Sequence, residues 1–187
     1  MSATVANLKY HIYNRRFGLW LFIVSESVIF LTLLVTRFYM QGTFRPHELN
    51  QVLGLIVTAI LLFSSFRANL AEVAISHGDR GGFVRNILMT IFLGVAFLIG
   101  VVAVEWPEAL KFAPPSSGFG TVFFATTGMH AFHVLTGVII LIIVLIQGWQ
   151  GRFTPEDHWN AEAAIVYWHF VDVVWIFVYP TLYLVGS

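Results

Sequence analysis

The stretch AAIVYWHFVDVVWIFVYPTLYLV, residues 163–185, is long and apolar enough to cross a bilayer, yet it carries His169 and Asp172. A helix rises 1.5 Å per residue, so about twenty apolar residues bridge a hydrocarbon layer roughly 30 Å thick. An ionisable group at that depth costs about 2.5 to 3.5 kcal/mol even on the lenient insertion scale, so it needs a partner, a cavity or a function. At a spacing of three residues His169 and Asp172 share one helical face, and they are expected to reach each other. Two more apolar runs have the same character. FGLWLFIVSESVIFLTLLV (17–35) contains Glu26, and GTVFFATTGMHAFHVLTGVIILI (120–142) contains His130 and His133.

The rest of the chain fits this membrane reading. Of 187 residues 58% are hydrophobic and only 11% charged, with a mean hydropathy of +0.79, far from the balance of a soluble domain. Eighteen Phe, six Trp and six Tyr suit a lipid-facing bundle with aromatic belts at the headgroup level. Ten basic and ten acidic residues cancel, leaving no global field to attract nucleic acid. Cysteine is absent, which excludes disulfides, thiolate nucleophiles and thiolate-held metals. The opening MSATVANLKYHIYNRR is polar and is not expected to act as a cleavable leader.

Five runs qualify as spans, near 17–39, 51–71, 83–104, 119–147 and 163–185, so the expected fold is all-α: a polytopic bundle of five transmembrane helices. Their continuity argues against the short alternating strands of a β-barrel. Turn-forming connectors separate them: QGTFRPHE (41–48), SHGDRGG (76–82), EWPEALKFAPPSSG (105–118) and QGRFTPEDHWN (150–160). No repeat breaks the pattern, so residues 1–187 read as one domain. Lys9, Arg15, Arg16, Arg67, Arg80, Arg85 and Arg152 fall on one side and Arg37, Arg45 and Lys111 on the other. The more basic side faces inward, which sets the N-terminus inside and the C-terminus outside. Arg37 and Arg67 are expected to snorkel to water from helix ends. Gly94, Gly100, Gly128 and Gly137 are candidates for close helix approach.

Among the buried polar residues, Glu26 lies near the hydrocarbon midplane and is expected to hydrogen-bond across helices or to handle protons. His130 and His133, one turn apart, resemble a ligand pair, and with Glu26, His169 and Asp172 they offer imidazole and carboxylate ligands suited to iron, copper or zinc. The HxxH spacing, however, matches neither the HExxH of metalloproteases nor the ExxH of di-iron bundles, so interhelical hydrogen bonds are the expected role. Glu162 sits at the interface, in a solvated or inter-subunit contact. Glu72, Asp79 and Arg80 read as surface charges of the second connector. No Walker, Rossmann or GxSxG pattern occurs, and no nucleophile or phosphate cradle is evident.

Four stretches carry a family resemblance: GLWLFIVSESVIF (18–30), ISHGDRGGFVRNILMTIFLGVAFLIGVVAVEW (75–106), SSGFGTVFFATTGMHAFHVLTG (116–137) and AEAAIVYWHFVDVVWIFVY (161–179). YWHFVDVVW and the TGxHxxHVxxG pattern are the most specific strings. The chain resembles subunit III of the haem-copper respiratory oxidases in its five-helix bacterial form. The resemblance implies a non-catalytic subunit of a cytochrome c or quinol oxidase, without haem or copper of its own. Those cofactors are expected in the catalytic subunit I, with subunit II as a further partner. It also implies a role in sustaining proton uptake and complex integrity, and a place in the bacterial cytoplasmic membrane. Glu26, His130, His133, His169, Asp172 and Glu162 look like the family's characteristic polar positions, none of them catalytic. Longer family members have seven helices and hold lipid in a cleft between the first two and the other five. The chain aligns from the third, so structural phospholipid is expected with its cleft completed by another subunit. Nitric oxide reductases have an accessory subunit of similar sequence. From other classes, the buried Glu, His and Asp also suit a small proton-coupled transporter or a membrane metalloprotein.

Overall fold

The computed structural model describes residues 2–186, with side chains described from residue 13 onward. The Lys9 side chain, part of the charge asymmetry, lies outside the described residues. Helix α1 covers Ser2–Gln41, α2 Gln51–Ser76 and α3 Arg80–Ile99. A π-helical turn, Gly100–Glu105, joins α3 to α4 at Trp106–Phe112; then come α5, Gly118–Trp149, and α6, Trp159–Tyr179, which widens into a second π turn at Pro180–Leu184. Among the described residues no strand occurs, and five helical segments are long and apolar enough to cross a membrane: Tyr13–Gln41, Gln51–Ser76, Arg80–Phe112, Gly118–Trp149 and Trp159–Leu184.

Local chemistry sets the ends of these helices. Asn50, Asp79 and Ser117 each accept a hydrogen bond from a backbone N–H three residues on, at 3.0, 2.8 and 3.0 Å, satisfying donors that the first turn leaves open. Gly78 and Gly151 follow α2 and α5 with φ of +76° and +73°, the left-handed stop that a side chain disfavours.

Two expected loop placements are corrected. Residues from Glu105 to Phe112 were expected to begin the third connector, but they continue the third span. Pro107 stands just beyond the π turn that ends at Glu105, and the helix passes through it. Glu72 belongs to α2 rather than to a loop and is half-buried, while Asp79 caps α3 and Arg80 begins it, its Nε donating to the Gly148 carbonyl at 2.9 Å.

The core gathers where α2, α3, α5 and α6 meet around Trp168, Trp175, Phe83, Phe97, Phe123 and Leu141, all closed from the surface. Trp168 fixes the helix spacing: a Cβ on Gly94 would stand 2.5 Å from its Cη2, and one on Gly137 2.8 Å from its Cε3. Gly100 is similarly close to Val57, at 2.7 Å. Gly128 differs, since a Cβ there would meet Trp106 only at an ordinary 3.9 Å. The outermost span is α1, with 11% of its most apolar window buried against 61% in the last span. Trp20, Val24, Val28, Leu31 and Val35 are exposed along it, an apolar surface suited to lipid or another membrane chain.

Candidate functional site

The α1 helix is tied to the bundle by polar contacts at two levels, and a buried arginine closes its far end. At one end the Arg16 guanidinium lies 3.0 Å from Glu162 and 5.8 Å over the Trp159 ring. Glu162 is therefore held within the chain, in the first turn of α6, where a carboxylate also suits the helix dipole.

In the middle, Glu26 Oε2 lies 3.1 Å from His133 Nε2 on α5. His133 Nδ1 is 2.8 Å from the Met129 carbonyl, an acceptor only, so Nδ1 carries hydrogen. Nε2 then either accepts from a protonated Glu26 or carries a second proton and donates to the carboxylate. Both arrangements place one proton between the two side chains. Phe30 of α1 packs edge-on to the His133 ring at 4.9 Å, and Tyr167 of α6 donates to the His133 carbonyl at 3.3 Å. The expected interhelical bond of Glu26 is thus formed.

At the other end Arg37 corrects its expectation. Instead of snorkelling, it is closed from the surface and donates to the carbonyls of Gly42 and Phe44 at 2.8 and 2.6 Å, with Phe119 stacked 5.4 Å away. The guanidinium fork satisfies carbonyls that the end of α1 and the following turn leave open. Arg67 is half-buried and reaches Asn86 Oδ1 at 3.2 Å.

The two histidines of α5 diverge. His130, one turn before His133, is wholly buried and faces Trp175 at 4.7 Å and Phe97 at 5.5 Å. Neither of its nitrogens has a hydrogen-bond partner among the described residues, so here the expected interhelical hydrogen bond is absent and aromatic packing holds the ring. The expected direct pairing of His169 with Asp172 is also absent. His169 Nδ1 sits 2.6 Å from Ser65 Oγ of α2, and neither oxygen of the buried Asp172 completes a hydrogen bond. Ser65, on the helix that α6 packs against, takes the place Asp172 was expected to fill.

A further polar contact joins the two π turns. The Tyr183 hydroxyl donates to Glu105 Oε1, while Arg45 and Gln51 donate to the Tyr183 carbonyl at 2.7 and 3.1 Å. Sequence reasoning missed Glu105 because EWPEAL resembles a connector. The available signal was the apolar GVAFLIGVVAV run leading into it without a break. Among the described residues no group of three or more His, Cys, Asp or Glu converges as a metal site.

Fold and site together define a multi-pass helical membrane protein whose intramembrane polar groups join helices to one another. The family model described as "Cytochrome c oxidase subunit III" matches residues 9–187. Proteins named "Cytochrome c oxidase subunit 3" are similar over most of their length. The one from Marchantia polymorpha is 38% identical over 184 residues, covering 92% of this chain and 69% of that protein. The one from Sus scrofa is 37% identical over 185 residues, and the one from Gallus gallus 36% over 184; each covers 92% of this chain and 70% of its own length. The chain belongs to the cytochrome c oxidase subunit III family.

Proposed function

We infer that the chain serves as the non-catalytic subunit III of a haem-copper terminal oxidase, in which a partner subunit reduces oxygen to water. The observation that carries this reading is the family match over residues 9–187, on a chain whose five apolar helices can each span a membrane. It favours subunit III over the transporter and metalloprotein readings. The chain assembles with the oxidase, against the catalytic subunit I and with subunit II in the same complex. Haem and copper reside in the catalytic partner. The exposed apolar side of α1 supports burial of that helix by lipid or by another membrane subunit. Grooves beside α1, one of about 250 Å³ lined by Ser27, Phe30, Leu34 and Phe177, suit phospholipid acyl chains.

Residues 1–187 act as one transmembrane domain, with the N-terminus inside and the C-terminus outside the bacterial cytoplasmic membrane. The distribution of Lys and Arg supports the orientation. Glu26, His133 and Glu162 hold α1 to the bundle, His130 packs the core, His169 joins α6 to Ser65 of α2, and Asp172 is buried in the bundle. Their work is to support proton uptake and the integrity of the catalytic partner rather than to perform chemistry.

The test compares the oxidase purified with and without this chain over many turnovers. Supportive function predicts that initial oxygen reduction persists without the chain and then decays faster than in the complete complex. Immediate loss of all oxygen reduction, or no change in its persistence, would contradict it.

A further inference from the structure

A groove of about 420 Å³ between α2 and α3 is edged by two arginines, Arg67 and Arg85, unlike the apolar groove at Phe30. The turn at Gly78 folds the two helices back on each other, and Arg67 Nη1 donates across them to Asn86 Oδ1 at 3.2 Å. Arg67 also lies 5.4 Å over the Phe63 ring, while Arg85 is exposed and its side chain engages no partner among the described residues. Neither arginine has a carboxylate partner there; the described ion pairs are Arg16–Glu162 and Glu26–His133. Asp79, the one acid on the groove wall, accepts the Gly82 N–H at 2.8 Å through Oδ1. Two positive charges against one negative leave the groove positive, on a pair of membrane-spanning helices. A guanidinium held there calls for an anion, since a charge within a membrane is costly unless paired.

Depth selects the anion. With the helical rise, Arg85 stands about 7 Å from the start of α3 at Arg80, and Arg67 about 13 Å from the end of α2 at Ser76. The headgroup layer on each side of the hydrocarbon is roughly 5 to 8 Å thick, so Arg85 lies at phosphate level and Arg67 below it, at the level of the glycerol esters. Deeper still, one helical turn on along the same faces, Phe63 and Phe66 of α2 and Met89 of α3 are exposed, a floor for acyl chains. We propose that this groove binds an anionic glycerophospholipid, with Arg85 on the phosphate, Arg67 on the ester carbonyls and the acyl chains along Phe66 and Met89. A guanidinium presents a fork of donors that suits phosphate and carbonyl oxygens alike. A headgroup with one net negative charge brings the groove to neutrality, whereas a zwitterionic one leaves it positive. The site requires only that α2 and α3 span a membrane, and it does not depend on the oxidase partners.

The test uses the complex that the full chain forms, in discs of phosphatidylcholine carrying one of two probes. One is a phosphatidylglycerol and the other a phosphatidylcholine, both with the same photoreactive acyl chain, and cross-linked peptides are mapped by mass spectrometry. The phosphatidylglycerol probe is expected to label residues 63–92 about fivefold more than the other, the factor that one charge is worth at a membrane surface. Arg85→Gln is expected to erase that preference, and Arg67→Gln to lower labelling by both probes. Because the Arg85 side chain is exposed and without a described partner, its replacement should leave the thermal midpoint of the complex unchanged. Equal labelling by the two probes, or a preference that survives Arg85→Gln, would overturn the proposal. So would an absence of labelling on α2 and α3 in the complete complex, which would show that a partner protein covers the groove.

Discussion

Glu26 of α1 and His133 of α5 share one proton across a 3.1 Å contact, the polar link that holds the outermost helix at mid-depth. Because α1 buries so little apolar surface, this pair and the Arg16–Glu162 bridge carry much of its registration. In a membrane the apolar faces of helices gain little by leaving lipid, so polar contacts and close packing decide how helices associate.

Removing the pair one side at a time should therefore reveal coupling. Glu26→Leu and His133→Leu are each expected to destabilise the complex, and the double variant by less than their sum, with a coupling near 1 kcal/mol, the scale of interhelical hydrogen bonds in membranes. Thermal midpoints of the four proteins measure it. Glu26→Gln preserves a donor and an acceptor, so assembly should survive. The Glu26 side chain keeps 21% of its surface open, so a hydrophobic carbodiimide is expected to label it and fail on Glu26→Gln.

The Trp168 cleft gives a steric prediction. Gly94→Val and Gly137→Val each drive a side chain into the indole, where existing approaches already leave no room for a methyl, and both should abolish accumulation of the folded chain. Gly128→Ala should be accepted, because its neighbourhood is at ordinary contact distance. Membrane levels of the three variants decide the point.

Arg37 is expected to resist conservative replacement. Its fork spans two carbonyls, those of Gly42 and Phe44, and a lysine ammonium is a single point on a flexible stem. Arg37→Lys should recover only part of the stability lost in Arg37→Leu, with proteolysis near residue 42 as the readout.

Tyr183→Phe removes the hydroxyl that joins the π turns and leaves both Glu105 oxygens without a donor, since Oε2 already has none among the described residues. A loss of about 1 to 3 kcal/mol is expected, the cost of an unsatisfied buried polar group. Glu105→Leu added to it should recover part of that loss. Thermal midpoints of Tyr183→Phe and of the double variant test both statements.

Five spans were legible in the sequence because a helix that crosses hydrocarbon must satisfy its backbone internally and present apolar side chains over about twenty residues. The polar residues were legible as exceptions to that rule, so Glu26, His133, His169 and Asp172 stood out. Their partners were harder to read. His133 finds Glu26 across helices and His169 finds Ser65, and neither partner follows from spacing on one helix. Glu105 and Arg37 were misread for a related reason. Proline and charge near a span end look like water-facing connectors, whereas here the helix passes through Pro107 and Arg37 caps backbone carbonyls inside the protein.

Subunit III function is tested most directly by purifying this chain from its native membrane in mild detergent, with an optical spectrum, metal analysis and identification of the co-purifying chains. Subunit III function predicts that haem and copper travel with a large multi-span partner and are lost when this chain is isolated from it. Purification of the chain without any haem-copper partner, or with a stoichiometric metal of its own, would contradict the account.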